Sequence, residues 1–346
     1  MLDGLRAALA ALQDPATGQD LVTAGVIDSL DVTDGHARLA LRTDRAHAAA
    51  MDTVRAQAEA ILLRQPGVRA ANAILTAHRP APRPAPGAPP EGRPLLMQSA
   101  RHIIAVASGK GGVGKSTVAV NLAVALARQG LAVGLLDADV HGPSLPRMLG
   151  AQGRPELVNK QMVPLEAWGL KAMSIGFLVA ADTAMIWRGP MVMSALEQML
   201  GQVAWGPLDV LVVDMPPGTG DAQLTMAQRV SLTGAVIVST PQDMALMDAR
   251  RGVRMFEKTR VPVLGIVENM SVFCCPNCGH RTELFGHGGA RREAEALGVP
   301  FLGEIPLLLD VRTAGDAGTP IVASAPGSPA AQAFTAIANR VWGALR

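Results

Sequence analysis

Short apolar runs recur along the C-terminal two-thirds of the chain, separated by segments long enough to form helices. These runs are Ile103–Ala107, Val133–Leu136, Val210–Val213, Ala235–Val238 and Val263–Val267. Runs that are apolar at every position are typical of parallel strands that are covered on both faces. The alternation predicts a doubly wound, mostly parallel α/β sheet whose ligand site lies at the carboxyl ends of the strands.

The first 78 residues follow a different pattern, in which two helical stretches alternate with three strand-like ones. The elements are a helix with Leu2, Leu5 and Leu12 on one stripe, strands at 26–32 and 37–42 on either side of Asp34-Gly35, a helix at 46–63 and a strand at 71–75. This order predicts a small α+β domain over residues 1–78.

A proline-dense run at 79–94 separates the two patterns. Such proline density favours an extended polyproline II conformation, which is typical of linkers. We therefore predict a linker at 79–98 between the small domain and a larger domain at 99–346.

Charge and hydropathy limit the possible partners of the chain. Charged residues make up 17% of the sequence, and the formal net charge is +2. This balance gives no general attraction to nucleic acid or to a membrane surface. No signal peptide pattern is present, and no apolar span reaches the about 18 residues that a transmembrane helix requires. We expect a cytoplasmic protein with no nucleic-acid or membrane partner.

A phosphate-binding loop lies between the first apolar run of the larger domain and a helical pattern at 116–129. Lys115 is expected to contact the β- and γ-phosphates, and the Ser116 hydroxyl is expected to ligate Mg²⁺, with Thr117 as a second candidate. The glycines allow a tight turn that directs backbone N–H groups at phosphate oxygens, beside the positive end of the helix. The nucleotide-binding residues are predicted to be Gly109, Lys110, Gly111, Gly112, Val113, Gly114, Lys115, Ser116 and Thr117.

Three aspartates follow predicted strands at the edge where the loop lies. Asp214 ends the run Leu-Val-Val-Asp, which resembles a Walker-B strand whose aspartate holds Mg²⁺. Asp137 and Asp139 follow the second strand. A lone aspartate after a strand is often a helix cap, so Asp137 has both interpretations open.

All three cysteines lie within residues 274–278, and Cys275 and Cys278 form a C-x-x-C pair. Such a pair can be a redox dithiol, half of a zinc site or half of an iron–sulfur cluster site. Pro276 and Gly279 favour a turn, whereas a thioredoxin-like dithiol begins a helix. Cys274 lies outside this spacing and is expected to be a small buried apolar residue.

A zinc site within one chain would need two more ligands beside the thiols. His280 and His287 are the nearest candidates, and their spacing differs from that of the usual zinc frameworks. Two chains that each contribute Cys275 and Cys278 at a two-fold axis would instead complete a four-thiolate set. Such a set suits a [4Fe–4S] cluster, although Zn²⁺ could occupy it as well.

The pair of lysines in the loop, Lys110 and Lys115, resembles the deviant phosphate-binding loop of the ParA/MinD/nitrogenase-iron-protein class of P-loop NTPases. Other stretches resemble its Mrp/ApbC branch of iron–sulfur cluster carrier ATPases. These stretches are Asp137–Ser144, Trp187–Met191, Asp214–Asp221, Glu268–Ser271 and Cys275–Gly279. The small domain resembles one that precedes Mrp proteins and occurs in other iron–sulfur assembly factors.

The resemblance implies a homodimer with ATP between facing subunits. In that arrangement Lys110 would reach the nucleotide of the partner chain, and Asp139 would orient the attacking water. Asn269 would hydrogen-bond adenine, and Asp214 would sense the γ-phosphate through Mg²⁺. Lys110 and Asp139 are therefore the expected catalytic residues.

The expected function is that of an ATPase that hydrolyses ATP slowly, binds a [4Fe–4S] cluster at its dimer interface and passes it from cluster donors to apo-proteins. One alternative is a ParA/MinD-like positioning ATPase that cycles on DNA or membrane. Its MinD form needs a basic amphipathic C-terminal helix, and residues 330–346 do form an apolar stripe. Because only Arg340 and Arg346 carry positive charge there, we expect that helix to dock on its own domain. The other alternative is a zinc-stabilised nucleotide-binding module.

Overall fold

The computed structural model describes residues 2–33, 35–43, 47–77, 99–179, 189–218 and 220–346. The chain divides into two compact units, Met1–Glu91 and Gly92–Arg346. The predicted linker at 79–98, Asp34 of the predicted turn and the Trp187-Arg188 stretch lie outside the described residues. The predicted domain bounds therefore stay predictions.

The first unit is a three-stranded sheet with helices packed on it, in agreement with the predicted α+β class. The first strand, β1 (Ile27–Thr33), pairs antiparallel with β2 (His36–Thr43), and β2 pairs parallel with β3 (Ala70–Ala77). The second helix buries one stripe, Met51, Val54, Ala58 and Leu62, as its three- and four-residue spacing requires. The elements are α1 (Leu2–Leu9), β1 (Ile27–Thr33), β2 (His36–Thr43), α2 (Ala48–Leu63) and β3 (Ala70–Ala77).

The second unit alternates strands and helices as predicted. Its elements are β4 (Ala100–Ala107), α3 (Lys115–Ala127), β5 (Val133–Asp137), α4 (Leu145–Leu149), β6 (Leu157–Val158), β7 (Gln161–Met162), β8 (Leu165–Ala167), β9 (Leu170–Ser174), α5 (Gly189–Gly201), β10 (Leu208–Asp214), α6 (Asp221–Arg229), β11 (Gly234–Ser239), α7 (Asp243–Lys258), β12 (Val263–Cys274), β13 (Arg281–Thr282), α8 (Gly289–Leu297), β14 (Phe301–Leu307), α9 (Leu309–Asp316), α10 (Ile321–Ser324) and α11 (Pro329–Leu345).

Within the described part of this unit, nine strands form one sheet in the order β13-β12-β11-β4-β10-β5-β9-β8, with β14 paired to β12. Every pairing is parallel except those that add β8 and β13. From β4 the chain first crosses to β5 on one side of the sheet and later to β11 on the other. This change of direction opens a crevice at the carboxyl end of β4.

Helices cover both faces of this sheet because consecutive strand residues point to opposite sides. In β4, Ile104 and Val106 join a core with α3 and α11, while Ile103 and Ala105 join a second core with α5 to α8. The doubly wound, mostly parallel α/β prediction is confirmed. The two cores fix the carboxyl ends of the parallel strands at one edge, where the predicted site residues lie.

Candidate functional site

The phosphate-binding loop connects β4 to α3 and is pinned to β12. Gly112 and Gly114 have φ values of 81° and 79°, in the left-handed region that favours glycine. The Asn269 amide nitrogen donates to the Val113 carbonyl at 2.8 Å, and a Cβ at Gly114 would collide with that nitrogen. Asn269, predicted to contact adenine, therefore also holds the loop in shape.

The first part of the loop approaches two other segments closely. Gly109 lies against the backbone of Asp248 on α7, where there is no space for a Cβ. The Gly218 N–H donates to the Ser108 carbonyl at 3.2 Å, so the segment after Asp214 rests on the loop. Lys110 is half-buried, and among the residues that the structure describes it forms no ion pair. Its charge is thus available to an anionic ligand.

Lys115 and Asp214 form an ion pair at the bottom of the site. The Lys115 Nζ lies 2.5 Å from Asp214 Oδ1 and 3.3 Å from the Ser116 hydroxyl oxygen. Burial raises the pKa of Asp214, whereas the Lys115 ammonium acts in the opposite direction. Asp214 Oδ2 is buried and, within the described chain, has no hydrogen-bond partner. A free carboxylate oxygen beside the Ser116 hydroxyl is a donor set that suits Mg²⁺.

Asp137 is buried beside Asp214, because the two residues are register partners at the ends of β5 and β10. Its oxygens accept from the Asp139 N–H at 3.1 Å, the Ser144 N–H at 3.1 Å and the Ser174 hydroxyl at 3.0 Å. It thus fixes the segment between β5 and α4. Burial raises the pKa of Asp137 to about 7, and the charge of Asp214 acts in the same direction.

This raised pKa should make stability depend on pH. The folded protein keeps a proton on Asp137 that the unfolded chain releases above its ordinary pKa, so the contribution to the free energy of unfolding falls as pH rises from about 4 to about 7. The slope should approach about 1.4 kcal/mol per pH unit within this window and vanish above about pH 8. Below about pH 4 both states are protonated, and the contribution is constant.

The measurement is urea unfolding of the wild type and of Asp137→Asn from pH 5 to pH 8, without nucleotide. All four tryptophans lie beyond residue 99, so their fluorescence reports on the second unit alone. Relative to the variant, the wild type should lose stability between pH 5 and pH 7. A difference that stays constant over this range would contradict the assignment.

Asp139 lies two residues beyond β5, half-buried at the opening of the site. Its Oδ1 accepts from the Gly142 N–H at 3.3 Å, within the segment that Asp137 anchors. The side chain is therefore held by a turn of its own and not by another charged group among the described residues. This placement leaves a carboxylate oxygen available to a water molecule.

A cleft of about 580 Å³ opens beside the phosphate-binding loop. Gly114, Thr117 and Asn269 line it on one side, and Pro306 to Leu308 line it on the other. At its mouth Asp316 pairs with Arg147 at 3.3 Å and with Arg312 at 3.1 Å, which links α4 to α9. The cleft is apolar along one wall and adjoins the loop, as a nucleotide base requires.

The side of the cleft formed by β14 and α9 was not predicted from the sequence. Residues 306–316 carry no motif, and the last strand of the sheet lies outside the five apolar runs that the sequence displays. Only position in the fold could have indicated this side of the cleft, because Pro306 and Leu307 end a parallel strand at the edge where ligands bind.

The cysteine pair lies on a turn that follows β12 directly. Residues 275–287, called here the cysteine loop, begin with a turn in which the Gly279 N–H donates to the Cys275 carbonyl at 2.9 Å. Backbone N–H groups of Cys278 and Asn277 hold the pKa of Cys275 below its ordinary value, which favours the metal-binding thiolate. Cys278 is exposed. Cys274 is half-buried, and the prediction of a buried residue was wrong because β12 has begun to leave the core there.

The far end of the cysteine loop is held by carboxylates. Glu268 is fully buried and accepts from the Gly288 N–H at 2.9 Å and the Ala290 N–H at 2.7 Å. The His287 Nε2 lies 2.9 Å from a carboxylate oxygen of Glu304. Among the described residues, Glu268, His287 and Glu304 are the three-residue group with the spacing of metal ligands, and it contains no cysteine. Within the part of the chain that the structure describes, no His, Asp or Glu side chain and no further Cys joins the two thiols as a third ligand.

Comparison with known proteins gives a match to both units. A model of the ParA family, described as NUBPL iron-transfer P-loop NTPase, matches residues 99–342. A second model, described as iron-sulfur cluster assembly protein, matches residues 3–73. Residues 74–98 lie between the two matches, and they include the segment 79–98 predicted as linker.

Two curated relatives illustrate the similarity. The iron-sulfur cluster transfer protein NUBPL of Mus musculus is 56% identical over 255 residues, which are 73% of this chain and 79% of that protein. The iron-sulfur cluster carrier protein of Deinococcus radiodurans is 45% identical over 349 residues, which cover 100% of this chain and 96% of the relative. The second relative therefore shares both units.

Solved structures agree with the fold. A nucleotide-binding protein from Archaeoglobus fulgidus in complex with ADP, with cobalt found in it, is 45% identical, with a TM-score of 0.57 over 64% of this chain and 87% of its own. The cell division ATPase MinD of Pyrococcus furiosus is 24% identical, with a TM-score of 0.54 over 70% of this chain and 98% of its own. The MinD likeness shows the fold alone. In the described residues, no helix has both the length and the apolar character needed to cross a membrane.

Proposed function

This chain belongs to the ParA family described as NUBPL iron-transfer P-loop NTPases, and on that premise we propose that it is an ATP-hydrolysing carrier of iron–sulfur clusters. The observation that supports this most strongly is the position of the cysteine pair. The two thiols lie at the carboxyl edge of the same sheet that holds the phosphate-binding loop, and no other described residue of the chain completes a metal site with them.

We propose that ATP binds with its phosphates on the loop and its adenine in the cleft beside it. Lys115 would contact the β- and γ-phosphates, and Asn269 lies where it can contact both loop and base. Mg²⁺ would be held by the Ser116 hydroxyl and, directly or through water, by Asp214, whose free Oδ2 supports this assignment. Bound there, the ion would neutralise charge on the phosphates.

Hydrolysis is proposed to need a second copy of the chain. Lys110 is free of ion pairs among the described residues and lies at the start of the loop. Supplied in trans, its ammonium would stabilise the charge that develops on the transferring phosphoryl group, as an arginine finger does. This role would require a homodimer with the two loops facing each other.

Asp139 is proposed to orient the attacking water. Asp139→Asn should therefore leave the Kd for ATP within about threefold of wild type and lower turnover about 100-fold or more, because only the acceptor of the water proton is changed. The measurement is nucleotide titration beside a phosphate-release assay. Asp209→Asn, at the amino end of β10 where Asp209 accepts from the Ala132 N–H, is the matched control and should hydrolyse normally. Unchanged turnover in Asp139→Asn would contradict the role.

The cargo is proposed to be a [4Fe–4S] cluster shared by two chains. Each chain offers Cys275 and Cys278, and a two-fold axis through the pair gives the four thiolates that such a cluster takes. The lowered pKa of Cys275 supports ligation, because the thiolate is the form that binds iron. Exposure of Cys278 would let the cluster reach an acceptor.

The small unit is proposed to dock cluster donors and apo-protein clients. All three cysteines lie in the second unit, so residues 1–78 have no thiolate to hold a cluster directly. The match of this unit to an iron-sulfur cluster assembly model supports a part in the same process. Its role would be recognition of partner proteins.

The test is anaerobic reconstitution with ferrous iron and sulfide, followed by incubation with an apo-enzyme that regains activity when it receives a [4Fe–4S] cluster. The reconstituted protein should show visible absorption of a cluster and should reactivate the acceptor, with a rate that depends on ATP. Stoichiometric zinc on a monomer, without reactivation, would favour the zinc-stabilised module. Failure to hold iron at all would overturn the carrier proposal.

The C-terminal helix bears on the positioning alternative. Phe334, Ile337 and Val341 of α11 are each 1% exposed or less and pack in the core with α3. The prediction that this helix docks on its own domain is confirmed. Its apolar face is therefore covered by its own domain, whereas a MinD-like membrane cycle would need that face exposed.

A further inference from the structure

The cysteine loop begins and ends on the same strand. It leaves β12 after Cys274, and it returns where the N-terminus of α8 meets Glu268, six positions earlier on β12. Glu268 holds this return point with both carboxylate oxygens, each accepting one backbone N–H. Hydrogen bonds from N–H groups to a buried carboxylate are charge-assisted and stronger than neutral ones. The loop is thus fixed to β12 at both ends.

The residue next to Glu268 contacts the nucleotide side. Asn269 donates to the Val113 carbonyl of the phosphate-binding loop and lines the cleft. Neighbouring side chains of a strand point to opposite faces, so one peptide unit separates the contact to the phosphate-binding loop from the anchor of the cysteine loop. A shift of the Asn269 backbone would therefore be passed directly to Glu268.

The strand is irregular immediately after these two residues. Met270 has a φ of 57°, in the left-handed region that residues other than glycine rarely adopt, and it lines the cleft as well. The register between β12 and β14 shifts between Asn269 and Phe273. Strained backbone of this kind is often found in segments that change conformation. This irregular segment lies between Asn269 and the end of β12 at Cys274.

We propose that Glu268 is a positioning residue that makes the cysteine loop respond to nucleotide. Occupation of the cleft would shift Asn269, and the two hydrogen bonds of Glu268 would carry that shift to the return end of the loop, and so to the two thiols. The inference rests on the proposed function, because a cluster carrier needs a cluster site that responds to ATP. Its contacts are independent of whether a cluster binds.

The test is hydrogen exchange of the full-length, cluster-free protein with and without Mg²⁺ and a non-hydrolysable ATP analogue. In Glu268→Gln one carboxylate oxygen becomes an NH₂ group, which cannot accept from the second N–H. Glu293→Gln is the matched control, because Glu293 is a buried carboxylate on α8, the helix whose N-terminus Glu268 holds, and it pairs with Arg250 at 2.6 Å. Exchange at 108–117 reports nucleotide binding in every protein.

Nucleotide should change the exchange rate within residues 275–287 about fivefold or more in the wild type and in Glu293→Gln, which is the lower end of ordinary coupling. The change should be lost in Glu268→Gln, while protection at 108–117 is retained. A wild-type response in Glu268→Gln, loss of the response in both variants, or a wild-type loop that ignores nucleotide would each overturn the inference. Cluster content and acceptor reactivation, measured separately, report on the proposed function.

Discussion

Replacement of either Cys275 or Cys278 by alanine is expected to abolish stable cluster binding, because each loss removes two of the four thiolates at a two-fold site. The wild type should carry about four iron atoms per two chains after anaerobic reconstitution. Either variant should retain less than roughly a tenth of that iron, since two thiolates do not complete the coordination of a cubane cluster. The measurement is iron and zinc content per chain, together with mass in solution.

Cys274→Ala is the matched control for these variants. Cys274 ends β12 outside the C-x-x-C spacing, so its loss should leave the iron content unchanged. His287→Ala should also keep the iron, because the His287 ring contacts Glu304 and, among the described residues, forms no ligand group with the thiols. One cluster on a single chain, or loss of metal when His287 is replaced, would contradict the bridging site.

Lys115→Ala is expected to weaken ATP binding at least about 100-fold, or about 2.7 kcal/mol, because the ammonium that neutralises the phosphates is gone. The same change leaves Asp214 buried without its partner, which costs stability on its own. The double variant Lys115→Ala/Asp214→Asn removes both charges and separates the two effects. It should recover stability and still fail to bind ATP.

Lys110→Ala should behave differently, with a Kd within about threefold of wild type and turnover lowered about 1,000-fold or more. Lys258→Ala, on the exposed end of α7, is the control and should hydrolyse normally. Nucleotide titration and single-turnover hydrolysis measure the two quantities. Equal loss of binding in Lys110→Ala and Lys115→Ala would contradict the trans role.

Mixed dimers test the trans role directly. If Lys110 serves the partner's site, a dimer of Lys110→Ala with Asp139→Asn has one complete site, and an equal mixture should recover about a quarter of wild-type turnover. If Lys110 serves its own site, both sites are defective and the mixture should be inactive. The subunits must exchange before the assay, which native mass measurement can establish.

The fold could be predicted because buried parallel strands are apolar at every position, which is a local property of the sequence. The limit of this signal shows at β12, predicted to end at Val267 but extending to Cys274. Glu268, Asn269 and Ser271 interrupt the apolar run and are nevertheless buried. The side chains of Glu268 and Asn269 form hydrogen bonds with backbone groups of segments far away in the sequence. No local sequence pattern predicts such partners.

The site residues also fall into two groups, those that a local motif identifies and those whose role depends on long-range contacts. The phosphate-binding loop, Asp214 and the cysteine pair are contiguous motifs, so their residue types alone predicted a nucleotide site and narrowed the chemistry of the cysteines to a few alternatives. The structural role of Asp137 and the anchor at Glu268 depend on contacts between strands and loops far apart in the chain. From the sequence alone, Asp137 could be either a helix cap or a residue of the nucleotide site. It accepts from backbone N–H groups at the start of α4, as a cap does, and it also faces Asp214, while a part in the site stays a prediction.

The single ammonium of Lys115 has consequences for how ATP and its metal arrive. Lys115 cannot serve Asp214 and a triphosphate fully at once, so nucleotide alone would strip a completely buried carboxylate of its counter-charge. A divalent cation held at the free Oδ2 of the same carboxylate would restore that balance. With the proposed magnesium site, electroneutrality would therefore make the magnesium complex of ATP a better ligand than free ATP.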